Sequence, residues 1–322
     1  MTSPQKSTWS RPRHLRLAVV AVAALTAAPL VAGCGGSDKK DPLASSNNTK
    51  PSGSTVVVGS NNFAESILLA DIYGEALKAK GVKVSYKPNI GSRETTYGLL
   101  KNGSITVLPE YNGALLAYLD AKAAPTTAAA TDAAITAKLD PKLTLLTDSP
   151  AEDKDSLTVN ATTAAKFHLT ADSTIADLAK VGSQVSIGAS PEFQTRQQGL
   201  VGLKSQYGLT PKSFKALDAG GPLTEAALKN DNVQAADIFT TDVTIAQEKF
   251  VVLKDPKNLF GFENVVPLVY KTGLAQNGVD ALNALSAKLT TEALLAMDAQ
   301  VQSDKKDPLD VATTWLKSVG LA

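Results

Sequence analysis

Hydrophobic positions follow two alternating spacings from Thr55 onward. A short continuous apolar run, VVVG, is followed by a segment whose apolar residues lie three and four positions apart, and this order then recurs. Short apolar runs bounded by glycine are typical of buried strands, and the wider spacing is typical of amphipathic helices. Strands that alternate with helices predict an α/β fold with parallel strands.

The same patterns predict where individual elements lie. The first helix carries Phe63 on its apolar side and stops at Gly81, and alanines favour a later helix from about Thr131. Residues 155–167 are predicted to contain a strand that enters the second half of the chain. The tail is predicted to form two amphipathic helices, over residues 280–302 and 307–321.

The opening pattern returns near Val185. VSIGASPEF repeats the plan of VVVGSNNF, with an apolar strand, a glycine, a serine and a phenylalanine. This repetition predicts two similar lobes, each with Ser60 or Ser190 at a helix N-terminus that favours a polar or anionic ligand group. The alternative, that any two α/β units share such a plan, stays open at this point.

The first 54 residues have a different composition. Arginines at 11, 13 and 16 precede an uncharged run from Leu17 to Leu30, and Cys34, the single cysteine, follows directly after small residues. This order is that of a signal peptide over residues 1–33, and its end resembles a bacterial lipobox. We expect a lipidated Cys34 and a flexible tether over residues 34–54, which would anchor the protein at the extracytoplasmic face of the membrane. An ordinary signal peptide with an incidental cysteine is the alternative.

Composition narrows the chemistry of the remainder. Four of the 32 Lys and Arg precede Cys34 while all 31 Asp and Glu follow it, so the remainder has a net charge of −3 and no basic field for nucleic acid. A His and Cys metal site is excluded, because His168 is the single histidine after Cys34 and is expected at an exposed helix end. No phosphate-loop or dinucleotide motif is present, so we expect no cofactor and no enzyme activity.

Several motifs in order resemble the solute-binding proteins of osmoprotectant ABC importers, the receptors for glycine betaine, carnitine and choline. The motifs are VVVGSNNFAESILLADIYGEAL, LPEYNGALLAYL, PEFQTRQQGL, LDAGGPLTEAALKN, FTTD and LFGFENVVPLV. The resemblance implies a two-lobed type II periplasmic-binding-protein fold with a hinge and an interlobe ligand cleft. It places one lobe at residues 55–155 plus 265–322 and the other at residues 156–264.

The resemblance also implies how the ligand is held. The family surrounds a quaternary ammonium group with aromatic rings through cation–π attraction and holds a carboxylate with an arginine. At the matching positions, Tyr111 supplies a ring, Arg196 supplies the guanidinium, and Phe239 keeps a ring without a hydroxyl group.

Other matching positions depart from the betaine pattern. Asn61, with Asn62 beside it, stands where the family has lysine or glutamine, and Ala114 replaces a threonine. Asp155 and Glu263 stand at positions where aromatic residues are expected, although both acids could instead lie on a solvated hinge surface. We therefore expect weak binding of glycine betaine, which tyrosines at both acidic positions would improve.

The sequence thus predicts a monomeric solute receptor that works with an ABC permease and its ATPase. The acids fit a choline-like cation, or a solute rich in hydroxyl or amino groups, better than a betaine. Two alternatives stay open: a lipid-anchored hydrolase that uses Asp155 and Glu263 as a carboxylate pair, and a solute sensor without a transport role.

Overall fold

The computed structural model describes residues 55–322, and the predicted signal peptide, Cys34 and tether lie outside the described residues. Two five-stranded sheets organise the described chain. We call the first sheet with its helices the first lobe and the second sheet with its helices the second lobe. The predicted two-lobed α/β fold is confirmed.

The first sheet contains four strands in one direction and one in the other. In order across the sheet, they are β2 (Val84–Lys87), β1 (Val56–Gly59), β3 (Val107–Tyr111), β10 (Val265–Tyr270) and β4 (Leu143–Leu145). β10 is antiparallel to both of its neighbours, while β1 is parallel to β2 and β3. The all-parallel prediction is therefore wrong for one strand.

The second sheet repeats this arrangement. In order, its strands are β7 (Ser213–Ala216), β6 (Ser186–Ala189), β8 (Ala235–Asp237), β5 (Leu157–Val159) and β9 (Val251–Val252). β5 is the antiparallel strand here. The two sheets therefore share one strand order, which agrees with the repeat seen in the sequence.

The antiparallel strands have a common cause. β5 and β10 each follow a segment that crosses from the other lobe, and each starts beside the carboxyl end of a parallel strand, with Leu157 paired to Asp237 and Val265 paired to Tyr111. Because the chain enters each sheet from the side where the parallel strands end, the entering strand must run in the opposite direction. The crossing segments also pair with each other, through Glu152 and Asn264.

Helices cover both faces of the first sheet. They are α1 (Ala64–Ala79), α2 (Arg93–Lys101), α3 (Asn112–Leu119), α4 (Ala128–Lys138), α10 (Gln276–Ser286), α11 (Thr291–Asp298) and α12 (Pro308–Ser318). Val107 and Val269 pack on the side of α1 and α10–α12, whereas Leu108 and Leu268 pack on the side of α2–α4. Neighbouring strand residues face opposite sides, as the pleat of a strand requires.

The helices of the second lobe are shorter. They are α5 (Ala161–Phe167), α6 (Ile175–Ala179), α7 (Gly202–Tyr207), α8 (Pro222–Lys229) and α9 (Thr244–Gln247). His168 ends α5 in a left-handed conformation and is exposed, as predicted. Within residues 55–322, no helix has both the length and the apolar character that crossing a bilayer requires.

Four sequence predictions need local correction. α4 starts at Ala128, because Thr127 caps it by accepting a hydrogen bond from the Ala130 amide. Residues 161–167 form a helix rather than part of a strand. The tail forms three helices instead of two, because Thr290 caps a separate α11. The expected helix after β6 is replaced by a short 3₁₀ turn over Pro191–Gln194 and an irregular segment before α7.

Candidate functional site

A cavity of about 60 Å³ lies where the two lobes meet. All eight ligand-binding residues that the sequence predicted line it: Asn61, Asn62, Tyr111, Ala114, Asp155, Arg196, Phe239 and Glu263. Seven further residues complete the wall: Phe63, Ser92, Arg93, Asp153, Ser190, Glu192 and Ala219. The tertiary structure therefore brings the predicted set together at one place.

The position of the cavity follows from the sheet topology. Parallel strands of an open α/β sheet end at one edge, and side chains just beyond those ends meet there. Tyr111 is the last residue of β3, Asn61 follows β1, Ser190 follows β6 and Phe239 follows β8. Asp155 and Glu263 come from the two crossing segments, which complete the wall between the lobes.

Three aromatic rings lie side by side in the cavity wall. The ring centroid of Phe63 is 6.0 Å from that of Tyr111 and 5.1 Å from that of Phe239. The sequence analysis assigned Phe63 to the apolar side of α1. In the structure, Phe63 is the N-cap residue that precedes this helix, and its ring lines the cavity, which the sequence analysis missed. Rings in such a cluster can attract an organic cation through their negative faces.

A glycine allows the Phe239 ring its position. Gly220 has a φ of +60°, and a Cβ atom placed there would lie 2.8 Å from the Phe239 ring. Any other residue would meet both the ring and an unfavourable backbone conformation. The Gly-Gly pair in LDAGGPL was the sequence signal for this close approach.

Asp155 presents a carboxylate to the cavity. Among the described residues, none donates a hydrogen bond to it, and its side chain is only partly buried. Burial raises the pKa of Asp155, while the guanidinium groups of Arg196 and Arg93 act in the opposite direction. A cation that enters the cavity would stabilise the ionised form of this acid.

Glu263 has a different environment, although it lines the same cavity. Its Oε2 accepts a hydrogen bond from the Ala114 amide at 2.9 Å, and its Oε1 accepts one from Nε2 of Gln198 at 2.8 Å. The side chain is 1% exposed, and burial raises its pKa well above the usual range. Glu263 thus joins the first turn of α3 to the second lobe, and its oxygens already have partners.

Arg196 forms an ion pair between the lobes. Its Nε and Nη2 donate to the two carboxylate oxygens of Glu94 at 3.1 and 2.9 Å. Burial acts to raise the pKa of Glu94, but the hydrogen bonds from Arg196 outweigh it and hold the pKa at about 2. The predicted carboxylate-binding arginine therefore already holds a carboxylate of the protein.

A second arginine was missed by the sequence analysis. Arg93 is buried and donates to both oxygens of Glu110, with Nε at 3.1 and 2.9 Å. The sequence offered one weak signal, namely a charged residue directly after the helix-starting serine in SRETTYGLL. Each of the two arginines is therefore bound by an acid, Glu94 or Glu110, that is not among the residues lining the cavity.

The remaining predicted residues have smaller roles in the wall. Asn61 is buried, and its Oδ1 accepts a hydrogen bond from Thr96, whereas Asn62 is exposed at the rim. Ala114 contributes its backbone amide to Glu263. Ser60 does not start a helix, because α1 begins at Ala64 with Phe63 as its N-cap residue. The Ser60 hydroxyl instead donates to the Asn61 carbonyl and accepts from the Asn89 amide. The prediction of a ligand site at Ser60 was therefore wrong.

Comparison with known proteins identifies the family of this chain. Residues 54–318 match the family described as the substrate-binding domain of ABC-type glycine betaine transport system. The glycine betaine-binding protein YehZ of Escherichia coli strain K12 is 28% identical over 83% of this chain and 91% of its own length. The glycine-betaine-binding protein of Pseudomonas aeruginosa is 27% identical over 82% of this chain and 87% of its own.

A solved structure shares the fold. The crystal structure of a glycine betaine/carnitine/choline ABC transporter protein superposes with a TM-score of 0.63 at 23% identity, over 83% of this chain and 99% of that one. The family match covers most of the chain and includes both lobes and the cavity between them. The chain therefore belongs to the family of substrate-binding domains of ABC-type glycine betaine transport systems.

Proposed function

We propose that this substrate-binding protein captures a small organic cation of the choline class in preference to glycine betaine, and that it delivers this cation to an ABC permease and its ATPase. The observation that carries the proposal is the Asp155 carboxylate, which has no hydrogen-bond donor among the described residues and lines the same cavity as three aromatic rings. Rings and an acid are both groups that attract a quaternary ammonium ion.

The charges of the cavity wall support a cation. Four acids line the cavity, namely Asp153, Asp155, Glu192 and Glu263, against Arg93 and Arg196. Both arginines are engaged in two-point hydrogen bonding to further acids outside that lining set. A betaine carboxylate would have to displace Glu94 from Arg196 while it lies near Asp155, whereas choline brings no carboxylate.

A panel of ligands tests this proposal. We expect choline to raise the melting temperature of the protein. In calorimetry, choline should bind at least about tenfold more tightly than glycine betaine. Choline has no carboxylate to be repelled by the acids of the wall, and a repulsion of about 1.4 kcal/mol corresponds to that ratio. Carnitine, polyols and phenolic compounds complete the panel. The neutral isostere 3,3-dimethyl-1-butanol is the matched control, and it should bind far more weakly than choline. The proposal would be wrong if glycine betaine bound with a submicromolar dissociation constant and more tightly than choline, because the protein would then be a betaine receptor.

The hydrogen bonds of Glu263 disfavour the hydrolase alternative. A carboxylate pair for glycoside cleavage needs one acid to donate a proton and a second to act as base or nucleophile. Glu263 has both oxygens occupied by the Ala114 amide and Gln198, so it is poorly placed for either role. We therefore propose a receptor without enzyme activity, which acts as a monomer and closes its lobes, 55–155 plus 265–322 and 156–264, around the ligand through a hinge.

We further propose that diacylglycerol on Cys34 holds the protein at the extracytoplasmic face of the membrane. The basic segment, the apolar run and the small residues before Cys34 support a lipoprotein signal. Cys34→Ala should move the protein from the detergent phase to the aqueous phase in detergent partitioning, and a neighbouring Ser37→Ala variant should remain in the detergent phase. Retention of Cys34→Ala in the detergent phase would exclude this anchor.

A further inference from the structure

A buried cluster of polar groups lies beside the cavity, around the Tyr111 hydroxyl. Its centre is Glu65 of α1, which is 2% exposed. The Tyr111 hydroxyl donates to Oε1 of Glu65 at 2.6 Å, and the Thr241 hydroxyl donates to Oε2 at 2.7 Å. One carboxyl group therefore fixes a ring of the first lobe and contacts the second lobe.

A second acid completes this cluster. Asp298 at the end of α11 is 1% exposed and acts on Glu65 as a neighbouring acid, and its Oδ2 has no hydrogen-bond partner among the described residues. Two adjacent ionised carboxylates in a buried place repel each other strongly, and one shared proton removes this repulsion. One shared proton can therefore bridge Glu65 and Asp298.

We propose that the Glu65–Asp298 carboxyl pair is a proton-carrying latch, which positions the Tyr111 ring in the ligand cavity and holds the lobes closed through Thr241. The latch acts through other residues, so both acids are positioning residues. Other groups that act on the pair are Tyr111 from β3, Asp153 from the first crossing segment and Asp242 after β8, and none of these is a cation. The proton is thus the one positive charge assigned to this cluster.

The charge environment gives the direction of the pH dependence. Burial raises the pKa of Asp298 to about 8, while its hydrogen bond with Glu65 acts in the opposite direction. The pKa of Glu65 is raised well above its usual range, chiefly by burial and next by the nearby charge of Asp298. Opening the lobes would admit water, and the relief from burial lowers both pKa values. Burial is the larger effect, so it outweighs the loss of the Thr241 hydrogen bond, which alone would raise the pKa of Glu65. The closed state therefore binds more protons than the open state, and closure weakens as pH rises through about 8.

Lobe closure can be measured without any ligand. Lys87 on β2 and Lys215 on β7 are exposed residues on the corresponding edge strands of the two sheets. In a Cys34→Ala background, each is replaced by a cysteine that carries a nitroxide label. The distance between the two labels reports how closed the lobes are. We expect Thr241→Val to lower the closed-to-open ratio about tenfold at pH 7, because it removes one hydrogen bond to a buried carboxyl group. Pulsed electron paramagnetic resonance gives this ratio from the distance distribution.

The matched control is Thr163→Val. Thr163 is a buried threonine of the same lobe whose hydroxyl has no partner among the described residues, so its loss should leave the ratio unchanged. Equal ratios for Thr241→Val and Thr163→Val would overturn the latch. Because this readout contains no ligand, its result is independent of whether choline is the solute.

Asp298→Asn tests the role of the proton. The asparagine amide can still donate to Glu65 but cannot ionise, so the variant should remain closed from pH 7 to pH 9, whereas the protein with Asp298 should open over this range. Choline titrations at both pH values serve as a second readout, in which the affinity loss at pH 9 should disappear in the variant. An identical pH response of the two proteins in the distance measurement would contradict the proposal.

Discussion

Substitution of Asp155 with asparagine is expected to lower the affinity for choline by about tenfold to 100-fold, equivalent to about 1.4 to 2.8 kcal/mol. The asparagine keeps the size of the side chain but removes the negative charge that faces the cavity. Because the interaction takes place at a partly buried site, the lost attraction is larger than at an exposed surface. Calorimetry with choline measures the change.

The same substitution should affect glycine betaine in the opposite sense. Asp155 acts on Arg196 and Arg93, so its removal leaves two guanidinium groups with less negative charge around them and relieves repulsion of a ligand carboxylate. We expect the choline-to-betaine preference to fall by more than tenfold, since the two affinities change in opposite directions. A parallel loss of affinity for both ligands would show that Asp155 acts through the shape of the cavity and not through its charge.

Asp148→Asn is the control for this pair of measurements. Asp148 belongs to the same crossing region but does not line the cavity. Both affinities should therefore stay unchanged in this variant.

Replacement of Glu263 with tyrosine is expected to lower the free energy of unfolding by about 3 to 5 kcal/mol. The change leaves the Ala114 amide and the Gln198 amide group without their buried acceptor, at about 1 to 3 kcal/mol each, and it adds a larger side chain to a packed site. Chemical denaturation measures this loss. The expectation from sequence, that tyrosine here would improve betaine binding, stays a separate prediction.

Two further variants separate the causes of this instability. Glu263→Gln keeps the shape but offers one acceptor oxygen for two donors, so it should lose about 1 to 3 kcal/mol. Glu192→Tyr places the same ring at another acid of the cavity wall that is only partly buried, and it should change stability far less. If Glu263→Tyr were as stable as the unchanged protein, the hydrogen bonds to Glu263 would not support the junction of the lobes.

Asp155 and Glu263 show how similar residues receive different functions. The resemblance to osmoprotectant receptors placed both acids at family ligand positions, with a solvated hinge surface as the alternative, and both line the cavity. Among the described residues, only the folded chain brings two hydrogen-bond donors to Glu263 and none to Asp155. One acid therefore supports the structure, while the other lines the cavity without a donor of its own.

Local sequence determined the elements and their order. Apolar spacing gave β1, α1, β2, α2 and β3, because burial on one face of a strand or helix imposes a period that is visible within a few residues. It also located Tyr111 at the end of a strand, where an open α/β sheet places its ligands, whereas Phe239 was singled out through the resemblance to the family. Helix ends were less well determined where single caps such as Thr127 and Thr290 decided them.

Tertiary structure alone decided which side chains are partners. Arg196 and Glu94 are 102 positions apart, and Glu65 and Thr241 are 176 positions apart, yet each pair forms a hydrogen bond between the lobes. No local period relates residues at such separations, because their contact depends on how the two crossing segments set one lobe against the other. The sequence, through its patterns and its resemblance to the family, therefore determined the fold class and eight residues of the cavity wall. The packing of the lobes determined that Glu263, Arg196 and Arg93 bind groups of the protein itself, while Asp155 has no hydrogen-bond donor among the described residues.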